Sequence, residues 1–195
     1  MQFKIKSVKV RISFSFLLFF LVFILNDRLN IYLKALLTST LHEAIHIFFI
    51  YFFKDGINEI KFNLLGGEIK KSDKKILSNN KEAIVNLSAP VFNIIFGFII
   101  LIFSIHSQIA YINIFIGIFN ILPFYNFDGG RGVFFLLNNR FDTDRANRIV
   151  FILSVLITFV FSLISLIVFF IYNKNYVLMV MSVYMIVSLF LYKNL

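Results

Sequence analysis

The sequence predicts an all-α polytopic membrane protein of about six transmembrane helices, with a small cytoplasmic β-hairpin or re-entrant element between spans 2 and 3. Three observations predict it. Of 195 residues, 59% are hydrophobic and the mean hydropathy is +0.87, more apolar surface than a soluble domain of this size can bury. Six apolar segments, at about 12–26, 31–53, 84–104, 109–127, 149–172 and 176–192, approach the roughly 20 residues a helix needs to cross hydrocarbon. The basic residues fall on alternate loops between those segments, as an orientation signal requires.

Each element follows from local sequence. Segment 12–26 comes after Lys4, Lys6, Lys9 and Arg11, in outline like a signal peptide. It ends Ile24-Leu25-Asn26-Asp27-Arg28, without a small-residue cleavage site, so it reads as a retained span. Loop 54–83 contains Ile57-Asn58-Glu59-Ile60-Lys61-Phe62-Asn63-Leu64, a partly alternating, strand-like run. Gly66-Gly67 and Glu68-Ile69-Lys70 follow, which makes the loop a hairpin or re-entrant sheet. The chain, 1–195, reads as a single domain without an internal repeat.

Sixteen Lys and Arg residues lie on one side of this arrangement, in the N-terminus, loop 54–83, loop 128–148 and the C-terminus. The other side holds Arg28, Lys34 and Lys174. The basic side is expected to be cytoplasmic, with both termini there. The net charge of +9 is thus explained by membrane anchoring, and no nucleic-acid partner is expected. Cysteine is absent, which excludes disulfides and thiolate metal sites and leaves His and carboxylates as metal ligands.

The chemistry is concentrated in His42-Glu43-Ala44-Ile45-His46, inside an apolar span. Histidines four apart lie on one helix face, one turn from each other. Both rings can reach one metal ion, and Glu43 beside them can handle the proton of the hydrolytic water. Ionisable residues at membrane depth are costly and mark function. A water-using hydrolase within the bilayer is the leading reading.

A catalytic zinc takes three protein ligands and keeps one position open. Asp128 stands out for the third, at the cytoplasmic end of the fourth span, in Asn120-Ile121-Leu122-Pro123-Phe124-Tyr125-Asn126-Phe127-Asp128-Gly129-Gly130-Arg131. The two glycines allow a sharp turn and close backbone approach, and Pro123 would break or kink the helix. Asp-Gly pairs are also ordinary turn residues, so both readings of Asp128 stand at this level. His106 reads as an outer loop residue, and Glu59, Glu68 and Glu82 as solvated loop charges.

With these motifs placed, the chain resembles the site-2 protease family of intramembrane zinc metalloproteases. The resemblance rests on HEAIH at 42–46, Gly66-Gly67, Ser88-Ala89-Pro90 with Asn93, and Asn120-x-x-Pro123 leading to Asp128-Gly129. It implies His42, His46 and Asp128 as ligands of one catalytic Zn²⁺ and Glu43 as general base. It suggests Asn120 and Pro123 as substrate-binding residues. The short form without a PDZ domain looks most like the sporulation branch that processes pro-sigma-K. Two departures stand out. Many relatives carry a second proline before the aspartate, where this chain has Tyr125 and Asn126; the sporulation members carry a CBS domain after the last span, where this chain ends at Leu195.

The expected activity is zinc-dependent endoproteolysis of a membrane-associated protein near the cytoplasmic face, in a bacterial cell membrane or one surrounding a forespore. Substrates of the expected class are a sigma-factor precursor, an anti-sigma factor or a signal-peptide remnant, and a membrane inhibitor or regulator is a further expected partner. The alternative is an inactive or metal-transporting membrane protein that retains the His pair. A transporter would be expected to show repeats and several intramembrane acids, and this chain shows neither.

Overall fold

The computed structural model describes residues 2–5, 8–13, 30–63, 66–71, 77–171 and 176–193. They fall into two units, Met1–Ile121 and Leu122–Leu195. The expected first span, 12–26, lies outside the described residues from residue 14 onward.

The described residues of the first unit form a sheet and three helices. Strands β1 (Gln2–Ile5), β2 (Val8–Ile12), β3 (Ile57–Asn63) and β4 (Gly66–Lys71) form one sheet in the order β1-β2-β3-β4. β3 and β4 are the expected hairpin, antiparallel with Ile60 opposite Ile69. The N-terminal pair extends it, with β2 parallel to β3 and Val10 opposite Ile60. The sequence reading missed these two strands because it took the basic residues of 4–11 as a membrane flank. Val8-Lys9-Val10-Arg11-Ile12 has the period of a half-buried strand: Val10 is buried while Lys9 and Arg11 are exposed.

The described residues of this unit also form helices α1 (Ile31–Phe52), α2 (Asn79–Phe103) and α3 (Gln108–Ile121). The end of α1 turns through Lys54 in the left-handed region (φ 57°), with the Asp55 N–H donating to the Ile50 carbonyl. Ile50, Ile57, Leu77 and Val85 then form an apolar core, joined by Phe49, Phe53, Ile60 and Ile69. Sheet, α1 and the start of α2 therefore meet in one place.

Glu59 and Glu82 differ from the solvated charges expected of them. Arg11 Nε lies 2.6 Å from Glu59 Oε1, and Lys71 pairs with Glu82; both carboxylate side chains are mostly buried. The pairing of β2 with β3 creates the first ion pair and the packing of α2 beside β4 the second, which local sequence does not reveal. His106 lies exposed in the turn between α2 and α3.

α2 and α3 approach closely at two glycines. A Cβ on Gly97 would lie 2.8 Å from the Ala110 carbonyl oxygen, and one on Gly117 would lie 2.7 Å from that of Pro90. Small residues at such positions let helices pack closely in lipid, where removal of apolar surface from water supplies no driving force.

The second unit holds α4 (Asp128–Leu137), α5 (Thr143–Ile171) and α6 (Tyr176–Lys193). Asp128 does not end a span, as the sequence reading expected: α3 stops at Ile121, and Asp128 is the first residue of a separate short helix. Pro123 and the turn around it account for the break.

Among the described residues, α1, α2 and α5 are long and apolar enough to cross a membrane, and Gln108–Ile121 and Leu178–Leu191 are shorter apolar helices. The burial pattern is that of a membrane protein. Large apolar side chains such as Phe48, Phe98, Phe115, Phe159 and Phe170 are exposed, while Thr38, Asn93, Asn113, Ser154 and Thr158 are buried.

Candidate active site

The buried stripe of α1 is Thr38, His42, His46 and Ile50. Four-residue spacing places them on successive turns of one face. The ring centroids of His42 and His46 lie 4.9 Å apart, in an edge-on arrangement. Glu43, next to this stripe, is half-buried.

His46 is oriented from α2. Its Nδ1 lies 2.8 Å from the Val85 carbonyl oxygen. A carbonyl can only accept, so Nδ1–H donates, and in the neutral ring Nε2 then carries the lone pair. That is the support a metal-ligating imidazole receives from its outer shell. Val85 escaped the sequence reading because the functional group is its backbone carbonyl, which any residue type supplies. Its side chain belongs to the apolar core beneath the sheet, so the packing of the sheet holds the orienting carbonyl in place.

Asn120 lies half-buried near the end of α3, and its Nδ2 donates to the Ile116 carbonyl at 3.0 Å. This local bond keeps the amide on its own helix.

In the second unit, the turn before α4 determines where Asp128 sits. Phe124 is fully buried and its N–H donates to the Leu122 carbonyl, while the Phe127 N–H donates to the Phe124 carbonyl. Tyr125 ties the turn to both long helices: its N–H donates to Ser154 Oγ at 2.9 Å, and its hydroxyl donates to the Ser188 carbonyl at 2.5 Å. Tyr125 thus restrains the turn between Pro123 and Asp128. Gly130 is required sterically, because a Cβ there would lie 2.0 Å from the Phe124 carbonyl oxygen. The half-buried Asp128 carboxylate lies in the first turn of α4, where the helix dipole favours negative charge. Pro123 is half-buried in the same turn.

Residues 102–164 match Peptidase family M50. The fold is similar to that of a site-2 protease from Methanocaldococcus jannaschii, with a TM-score of 0.67 and 20% identity over 95% of this chain and 91% of that one. No curated protein matches the chain. The family match supports a protease, and the structural likeness extends over nearly all of the chain.

Proposed function

We propose that this protein is a zinc-dependent intramembrane endopeptidase that cleaves a membrane-associated protein near the cytoplasmic face. The observation that carries the reading is the histidine pair on the buried stripe of an apolar helix, with His46 oriented by the Val85 carbonyl so that Nε2 can bind a metal. His42, His46 and Asp128 are the proposed ligand set, as the resemblance to site-2 proteases implies. Two imidazoles and a carboxylate, without cysteine, suit a catalytic zinc that keeps a position open. When bound, the zinc polarises the hydrolytic water and the scissile carbonyl.

The remaining work belongs to the chain. The Glu43 carboxylate takes a proton from the water and delivers it to the leaving amine. A substrate helix must unwind first, because its carbonyls are held in i→i−4 bonds. β4 is an edge strand of the sheet and can receive the unwound segment by strand addition. Asn120 can offer its amide to the substrate backbone or the oxyanion after leaving Ile116, and Pro123 shapes the path beside α4.

Six spans with both termini in the cytoplasm agree with the charge pattern of the loops, and a bacterial cell membrane is the proposed location. The proposed substrate is a sigma-factor precursor of sporulation, with anti-sigma factors and signal-peptide remnants as further candidates. A membrane inhibitor or regulator is proposed to gate it. The family match does not favour an inactive or metal-transporting protein. Co-expression with tagged pro-sigma-K tests the proposal: the wild type should remove the pro-sequence and Glu43→Gln should not. Processing by both variants would refute the mechanism.

A further inference from the structure

Asn93 is fully buried in α2, and neither its Nδ2 nor its Oδ1 has a hydrogen-bond partner among the described residues. Asn113 in α3 is buried to 1% exposure; its Nδ2 donates to the Ile109 carbonyl and, at 3.3 Å, to Thr38 Oγ1, while its Oδ1 has no such partner. A buried amide left without hydrogen bonds costs about 1–3 kcal/mol per group, so such groups call for a ligand.

The helix registers bring these residues to one region. His46 meets Val85 near the ends of α1 and α2 that face the sheet. From that contact, one turn back along α1 is His42 and one turn forward along α2 is Ala89. A further turn reaches Thr38 on α1 and Asn93 on α2. Thr38 is itself bonded to Asn113. The neighbours of the two asparagines make the close α2–α3 crossing: Gly97 abuts Ala110 and Ile114, and Gly117 abuts Pro90 and Ile94. Three helices therefore converge on Thr38, Asn93 and Asn113, two turns along α1 from His46.

We propose that Asn93 and Asn113, beside Thr38, bind water inside the first unit, and that this water exchanges with the hydrolytic site along the histidine stripe of α1. Asn93 Nδ2, Asn93 Oδ1 and Asn113 Oδ1 offer one donor nitrogen and two acceptor oxygens, three partner atoms for a water that typically makes about three bonds. The stripe between is polar: Thr38, His42 and His46 occupy three successive turns before Ile50 closes it. Bulk water is excluded by the apolar surfaces of these helices, so an internal site keeps water available at the depth of the reaction. The role in hydrolysis rests on the protease reading; the binding of water does not.

The test uses the full chain and two readouts. A structure in a lipidic phase, at a resolution that shows ordered water, should place density within hydrogen-bond distance of the Asn93 amide. In parallel, Asn93→Leu and Asn93→Ser are compared with wild type for zinc content, heat stability and single-turnover cleavage of pro-sigma-K. Leucine should slow cleavage about tenfold with KM and zinc content unchanged, and serine, which keeps a polar group and room for water, should restore most of the rate. An Asn93 amide bonded only to protein, or an Asn93→Leu protein that cleaves at the wild-type rate and melts higher, would overturn the proposal. Ordered water at Asn93 in a protein that binds no zinc and cleaves nothing would leave the water site intact and refute the protease reading instead.

Discussion

The two units bury different kinds of polar group. In the second, Ser154, Thr158, Ser165 and Ser182 donate to carbonyls of their own helices, three or four residues back. Ser165 and Ser182 also meet at 3.3 Å between α5 and α6, and Ser162 is the exception, with its hydroxyl lacking a partner among the described residues. In the first unit the buried polar groups include, besides Thr38 and Asp55, two imidazoles and two amides, whose several polar atoms one carbonyl of their own turn cannot satisfy. His46 reaches across to Val85, Asn113 reaches across to Thr38, and Asn93 keeps its hydrogen-bonding capacity. Hydroxyls that bond to their own helix serve packing in lipid; groups that must look elsewhere mark chemistry.

Four substitutions and one treatment bear on this contrast, and the largest effect is expected in the first unit. Glu43→Gln should reduce cleavage by about a thousandfold while the zinc content stays unchanged; His42→Ala should lose both, as read by metal analysis of the purified protein. Retained zinc in His42→Ala would remove the imidazole pair from the metal site. Chelation by 1,10-phenanthroline should abolish cleavage, and added Zn²⁺ should restore it in the wild type but not in Glu43→Gln.

The next effect belongs to the turn before α4. Gly130→Ala places a Cβ against the Phe124 backbone, which cannot move without disturbing Tyr125 and its two bonds. A loss of about 3 kcal/mol in stability is expected, measured by thermal unfolding in detergent. An unchanged melting temperature would show that the turn yields more easily than the geometry implies.

The smallest effect should come from the self-bonded hydroxyls. Thr158→Val should change stability by about 0.6 kcal/mol or less and leave cleavage intact. A large loss of activity there would mean that the second unit also buries functional polar groups.

Much of the site was legible in the sequence because it depends on residue type and local spacing. His42 and His46 fall on one face of α1 by helical period alone, and their cost in an apolar span flags them without a structure. Gly129-Gly130 after Asp128 announced a close backbone approach, and Gly130 makes one with Phe124. The strands at 2–5 and 8–12 were harder to see. Their alternation was short, and the basic residues within it fit a membrane flank equally well.

The sequence by itself determined the membrane class, the His-Glu-His face and the break at Pro123, since composition, helical period and a missing N–H act locally. Tertiary structure decided the rest. It chose Val85 as the carbonyl that orients His46, Arg11 and Lys71 as partners for Glu59 and Glu82, and Tyr125 as the tie from the turn to α5 and α6. The physical reason is common to all of these: backbone carbonyls are identical at every residue, and ion pairs between distant segments depend on register, which only the folded chain sets.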